Sequence, residues 1–180
     1  MTNNILTGPD AQARFVLQTL RAQDNSGTIG PGDNPLGESA FLSLDPEAAV
    51  KGQFQSVPGE IISLSMRPAT GQTPRWQGYH IPLGPFDMSD AGVFGVVARS
   101  TAPASITTRI CLRSGRDGQF TDKFLPKTMV SFSQSSTHLD LLDLSTVPDV
   151  PRQADWRDLI LFFRPGPVEI TLQDLRLFLV

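Results

Sequence analysis

Side chains suited to binding a hydroxyl-rich ring occur together at residues 76–80, Trp-Gln-Gly-Tyr-His. An indole can stack on the apolar face of a sugar, while histidine and glutamine exchange hydrogen bonds with its hydroxyls. If Tyr79 faces a core, strand alternation places Trp76 and His80 on the opposite face, with Gly78 open to a ligand. We therefore predict Trp76, Tyr79 and His80 as ligand-binding residues; the alternative is that Trp76 packs at a strand end and His80 is solvated.

Arginines form a second candidate group. Arg109 and Arg113 flank Cys111 on one face of a predicted strand, and Arg99 ends the strand before it. Guanidinium groups on adjacent strands offer planar forks of donors to carboxylate or sulfate groups. Arg109 and Arg113 are thus predicted ligand-binding residues, with an acidic glycan as the natural ligand. The alternative is a solvated outer face with scattered ion pairs.

A histidine and an aspartate, His138 and Asp140, share one face of another predicted strand. Such a pair suits acid–base chemistry, but the sequence has no Gly-x-Ser-x-Gly elbow and no clustered metal ligands. We predict His138 as a ligand-binding residue and assign no catalytic residue.

Length and composition limit the function classes. A chain of 180 residues with 39% hydrophobic residues is expected to form one domain, residues 1–180. Its net charge of -3 provides no basic field for a phosphate backbone, so nucleic-acid binding is not expected. No run of residues is apolar enough to span a membrane, and the first residues lack a signal-peptide pattern. The default expectation is therefore a cytoplasmic protein, and the single Cys111 fits a reducing compartment.

Short apolar runs between turn signals must position these residues. Strand candidates lie at residues 40–44, 50–57, 60–67, 76–83, 92–99, 105–114, 119–124, 127–134, 137–144, 156–163 and 168–180. Residues 13–20 fit either a helix or a strand, and we favour a strand because the later segments are all β. Residues 22–39 are polar and predict a long loop. The pattern indicates an all-β fold, an antiparallel sandwich or barrel.

The last two strand candidates flank a Pro-Gly-Pro turn at residues 165–167. In the final run the apolar set changes phase after Gln173, which predicts a β-bulge or a bend between sheets. Trp156 begins a run whose other members are leucine and phenylalanine, so we expect it in the core.

Three segments together resemble the galactose-binding-like jelly roll of many carbohydrate-binding modules. They are residues 53–67 with their Pro-Gly turn, the strand pair at residues 92–113, and the closing pair at residues 156–180. The resemblance implies a jelly-roll β-sandwich that binds a saccharide without catalysis. It also implies a structural calcium ion near Asp174, which Asp33 or Asp10 would join as ligands. Two rival hypotheses are an assembly module that binds a partner protein, and a small polysaccharide hydrolase or lyase on the same scaffold.

Overall fold

A computed structural model describes residues 10–180. The expectation about an N-terminal signal rests on the first residues of the chain, of which residues 1–9 lie outside this range. Within residues 10–180, one α-helix precedes twelve strands, and two 3-10 turns follow β3 and β10. The elements are α1 (Ala11–Ala22), β1 (Asn25–Ile29), β2 (Asp33–Pro35), β3 (Phe41–Leu44), β4 (Lys51–Ser56), β5 (Ile62–Arg67), β6 (Gln77–Pro82), β7 (Val93–Thr101), β8 (Ile106–Arg116), β9 (Gln119–Ser131), β10 (Ser136–Asp143), β11 (Trp156–Phe163) and β12 (Val168–Leu179).

The strands form two six-stranded sheets in which every paired strand is antiparallel. The first sheet has the order β1-β4-β5-β12-β7-β10, and the second sheet has the order β2-β3-β6-β11-β8-β9. Inward-facing side chains of both sheets form one hydrophobic core. The predicted fold class, an antiparallel β-sandwich of the jelly-roll type, is confirmed.

The segment at residues 13–20 is a helix, so the prediction of a strand there is wrong. Val16 and Leu17 are both buried although they are adjacent, and two adjacent residues cannot face the same side of a strand. Ala13 and Leu20 complete the buried helical stripe, while Phe15 points away from it and is exposed. Among residues 10–180 no helix is long and apolar enough to cross a membrane.

Two short strands, β1 and β2, lie inside the region predicted as a loop at residues 22–39. They pair with β4 and β3 at the sheet edges, where side chains remain exposed, and this explains their polar composition. Asn34 closes the turn between them, because its side chain hydrogen-bonds the backbone of Gly30 and Gly32. The loop prediction is therefore wrong for these residues.

Local signals in the sequence place the turns and the bulge correctly. Gly59 has φ 97°, and the Glu60 amide donates to the Val57 carbonyl at 3.0 Å, as a Pro-Gly type II turn requires. Asp117 and Gly118 both have positive φ between β8 and β9, which is the type I′ geometry of a two-residue hairpin. The register of β12 shifts between Leu172 and Asp174, so the predicted bulge is confirmed.

Candidate functional site

The outer face of the second sheet carries a row of side chains drawn from five neighbouring strands. The strand registers place its members opposite one another: Phe41 on β3, His80 on β6, Ile160 on β11, Cys111 on β8 and Phe124 on β9. Tyr79, Leu161 and Ile110 alternate with them and face the core. The pleat therefore separates the core from a second, largely apolar surface.

Four rings on this face contact one another in sequence. The rings of Phe41 and His80 are stacked, with centroids 4.5 Å apart and an interplanar angle of 19°. His80 meets Phe162 edge-on at 6.4 Å, and Phe162 lies 5.6 Å from Phe124. We call these four residues the aromatic platform. Stacked and edge-on ring pairs hold their members in fixed orientations.

The imidazole of His80 is held inside this surface rather than solvated. His80 is 6% exposed, and its Nδ1 lies 3.4 Å from Oδ2 of Asp158 on β11. Gly78 leaves room for the ring, since a Cβ there would lie 3.2 Å from His80 Nε2 and 3.3 Å from Phe162 Cε1. The glycine therefore serves the packing of the platform rather than a close approach of a ligand to the backbone.

Arg109 borders the platform with an available guanidinium. Its Cζ lies 3.9 Å from the centroid of the Phe124 ring, which is a cation–π contact. Arg109 is exposed, and it takes part in none of the ion pairs or side-chain hydrogen bonds found among residues 10–180. Its N–H donors are thus free to bind an anionic or hydroxyl group.

Arg113 lies on the same face, but its guanidinium is paired with a carboxylate. Its Nε and Nη2 donate to the two carboxylate oxygens of Asp122 at 2.6 and 2.7 Å, and its Cζ lies 4.3 Å from the centroid of the Phe120 ring. The hydrogen bonds that Arg113 donates to Asp122 raise the pKa of Arg113 above its usual value. Arg99 lies on β7 of the first sheet, so the predicted cluster of three arginines does not form.

Tyr79 and His138 lie away from this face, which corrects both predictions. Tyr79 faces the core at 1% exposed, because it alternates with His80, and burial raises the pKa of its phenol. His138 is on β10 of the first sheet, opposite the buried Ala98, and so points inward. Its buried Nε2 has no hydrogen-bond partner among the described residues, and it lies 3.8 Å from Asp140 Oδ2.

Two tryptophans have different surroundings. Trp76 directly precedes β6, is 37% exposed, and has the Cζ of Arg75 5.1 Å above its ring. Trp156 is 40% exposed and covers Gly115 of β8, so the prediction that Trp156 lies in the core is wrong. Trp156 lies an even number of positions from Asp158 and Ile160 along β11, so it faces outward as they do. This outward position was visible in the sequence, because Leu159 and Leu161 of the same strand define the inward-facing set.

Asp174 is bound by cationic side chains rather than by acidic neighbours. Its carboxylate accepts hydrogen bonds from Arg21 at 3.2 Å and from Arg176 at 2.7 Å, and these partners contribute to lowering its pKa. Within residues 10–180 no group of three or more His, Cys, Asp or Glu side chains is arranged to hold a metal ion. Two guanidinium partners neutralise the charge that a calcium ion would need, so the geometry argues against the calcium site expected at Asp174.

Cys111, between Ile160 and Phe124 in the row, is inaccessible. It is 0% exposed, and burial raises the pKa of its thiol to about 12. Its place in the row is therefore that of a small apolar side chain beneath larger neighbours.

The two sheets and the aromatic platform define a jelly-roll β-sandwich with a candidate ligand-binding face. Three solved structures with similar folds are the CBM22-1 xylan-binding domain of Xyn10C from Paenibacillus barcinonensis, a family 11 carbohydrate-binding module from Clostridium thermocellum in complex with a β-1,3-1,4-mixed-linked tetrasaccharide, and endoglucanase 3 of family GH12 from Trichoderma harzianum. Their sequence identities to this chain are 13%, 14% and 8%, with TM-scores of 0.47, 0.45 and 0.45. They cover 87%, 86% and 88% of this chain and 93%, 88% and 99% of their own.

No protein-family model matches the sequence, and no curated protein matches it. The likeness to these solved structures concerns the fold alone.

Proposed function

We propose that this chain is a carbohydrate-binding domain that holds a saccharide on the outer face of the second sheet, without catalysis. The observation that carries the proposal is the aromatic platform, which extends over four strands and has the unpaired guanidinium of Arg109 at its border. The partly exposed rings of Phe41, Phe124 and Phe162, with a hydrogen-bonding group beside them, match the two surfaces of a sugar, an apolar ring face and a polar rim.

The face is long enough for more than one sugar ring. From Phe162 to Trp156 the strand β11 runs for six residues, which is about 20 Å at the usual rise. Phe120 is 58% exposed and is paired in register with Gly115, beneath Trp156. A second aromatic pair therefore lies at the far end of the same face, and an extended oligosaccharide is the ligand that would contact both ends.

The charges on this face give a modest preference for acidic sugars. Arg113 and Asp122 neutralise each other, while His80 lies beside Asp158. Arg109 is a positive group of this face without an ion-pair partner among residues 10–180, and it would bind one carboxylate of a uronic acid through its two-donor fork. We therefore assign the preference for an acidic saccharide to Arg109.

The proposal is tested by isothermal titration of neutral and uronic-acid oligosaccharides. We expect dissociation constants nearer millimolar than micromolar, about -4 to -6 kcal/mol, because water competes for each exposed hydroxyl. Phe162→Ala should remove binding, whereas the control Phe15→Ala changes an exposed ring on α1, outside this face, and should leave binding intact. Arg109→Gln should remove the salt-dependent part of binding to the uronic acids. Equal affinity of Phe162→Ala and wild type would reject the proposal.

A second candidate function, assembly with a partner protein, is favoured by one observation on the first sheet. Leu139 and Leu141 of β10 are 47% and 42% exposed on its outer face, where they are in register with Val97 and Gly95 of β7. Leu139→Ser with Leu141→Ser should abolish a stoichiometric complex formed through this face while leaving saccharide titrations unchanged. If the double variant retains the complex, this face is not the interface.

A further inference from the structure

The outer face of the first sheet carries a separate polar groove. Its volume is about 670 Å³, within the usual range of sites for small ligands. It lies on the opposite side of the sandwich from the aromatic platform, because the two sheets pack with the core between them. The polar residues that line it are Ser26, Gln53, Gln55, Ser63, Ser65, Thr101, Ser133, Glu169 and Thr171.

The groove floor is an ordered array of hydroxyl and amide groups. The register places Gln55, Ser63, Thr171 and Thr101 side by side on β4, β5, β12 and β7, with Ser26 of β1 extending the row. A second row contains Gln53, Ser65 and Glu169. Neighbouring strands lie about 4.8 Å apart, so the polar groups repeat at that interval.

Most of these groups have no partner within the protein. Among residues 10–180, one side-chain hydrogen bond joins two residues of the groove, and it lies between the hydroxyls of Ser63 and Thr171 at 2.8 Å. Gln53 and Gln55 are exposed, so their amides retain donors and an acceptor for a ligand.

One wall of the groove is fixed by the connections between the two sheets. Ala102 and Pro103 follow β7, and Ser133 follows β9. The Ala102 amide donates to the Phe132 carbonyl at 2.8 Å, and the hydroxyls of Ser100 and Ser131 lie 2.7 Å apart in a buried contact. The wall is thus tied together by hydrogen bonds, and a ligand would meet a preformed surface.

We infer that this groove is a second saccharide site, specific for neutral sugars, on the sheet opposite the aromatic platform. Side-chain hydroxyls and amides act as both donors and acceptors, and this matches a ligand that carries many hydroxyl groups. Glu169 is the charged residue of the lining, and its carboxylate accepts hydrogen bonds from sugar hydroxyls while repelling anionic sugars. Two sites on opposite faces would let one domain contact two polysaccharide segments.

The test uses the full chain and maps amide chemical shifts with xylohexaose and with a β-1,3-1,4-mixed-linked tetrasaccharide. The Phe162→Ala variant removes the platform site, so shifts that persist there report the groove alone. We expect the side-chain amides of Gln53 and Gln55 and the backbone amides of Ser65 and Thr171 to shift. The shifts of the Ser65 and Thr171 amides should vanish in the double variant Gln53→Ala, Gln55→Ala. All four shifts should remain in the control Gln119→Ala, which changes an exposed glutamine of the second sheet.

Three outcomes would overturn the inference. One is the absence of groove shifts at about 10 mM of both oligosaccharides, where a millimolar site is mostly occupied. Another is loss of the groove shifts in Phe162→Ala, which would show that they are transmitted from the platform. The third is an equal response to a uronic-acid oligosaccharide, which contradicts the selectivity assigned to Glu169. If the groove binds no saccharide, the shifts at the aromatic platform of the wild type are unaffected. The two proposals can therefore be rejected independently of each other.

Discussion

The imidazole of His80 stacks on the phenyl ring of Phe41 with ring centroids 4.5 Å apart, on the side of the sheet that faces away from the core. This contact joins β3 to β6, and the edge contact of His80 with Phe162 joins β6 to β11. The rings are thereby ordered before any ligand arrives. Pre-ordered rings lose little conformational entropy on binding, which is how a weak contact surface retains useful affinity.

Phe41→Ala should weaken saccharide binding by about tenfold, which corresponds to about 1.4 kcal/mol. The substitution removes one ring and also the support on which His80 rests. Titration of the same oligosaccharide against Phe41→Ala and against Phe15→Ala, the exposed ring on α1, measures the difference. Similar affinities for the two variants would show that Phe41 does not shape the binding surface.

Gly115→Ala should displace the indole of Trp156, because an added Cβ would overlap that ring. We expect weaker binding of long oligosaccharides, with little change for a disaccharide held by the platform at the other end of β11. Gly92→Ala is the matched control, since its Cβ would make only an ordinary contact of 3.7 Å with the Val180 carbonyl. A Gly115→Ala variant with wild-type affinity for long ligands would remove Trp156 from the site.

The strand pattern of the sequence predicted the sandwich, because alternation within β11 and β12 is a local property of the chain. The bulge after Gln173 was predictable for the same reason. Residues 13–20 were misassigned because their apolar residues fit both a helix and a strand, and packing against the sandwich decides between the two.

The candidate site was predictable only in part. His80 and Arg109 were found because their types and neighbours indicated a binding face. Phe41, Phe124 and Phe162 were missed because they join the platform through strand register, which brings together residues that are far apart in the chain. Trp156 was assigned to the core because the other residues of its strand are mostly leucine and phenylalanine. The alternation of side chains along that strand nevertheless places Trp156 on the outer face.

Arg157→Met should reduce the free energy of unfolding by about 3–5 kcal/mol, since it strands several buried acceptors. Arg157 is 0% exposed and donates to the carbonyls of Phe86, Pro151 and Arg152 and to the Ser114 hydroxyl. Burial lowers its pKa to about 10, so it remains charged at neutral pH. Urea denaturation measures the change.

The control for that experiment is Arg164→Met, at an exposed position, which should change stability by less than about 0.5 kcal/mol. Equal stability of the two variants would contradict the view that Arg157 ties the loops around Phe86 and Pro151 together.

Stability should fall as the pH drops below about 6.5, through the titration of His138. Burial lowers the pKa of His138 in the folded chain, despite the opposing effect of Asp140. The unfolded chain therefore takes up the proton first, and the stabilisation present above the unfolded pKa is lost as the pH falls through the folded pKa. Thermal melts of wild type and His138→Gln between pH 7.5 and about 5.5 should diverge in this window. If the melting temperatures of the two proteins change with pH in parallel, groups other than His138 cause the pH dependence.

The assignment of the aromatic platform as a saccharide-binding surface is tested by a map of backbone amide shifts in the wild-type chain during titration with xylohexaose. We expect saturable shifts at Phe41, His80, Arg109 and Phe162, which lie on four adjacent strands of the second sheet. Shifts at these amides should be absent in Phe162→Ala and unchanged in Phe15→Ala. A titration with neutral and uronic-acid oligosaccharides that leaves all four amides unmoved at about 10 mM would contradict the assignment of this face as a saccharide-binding surface.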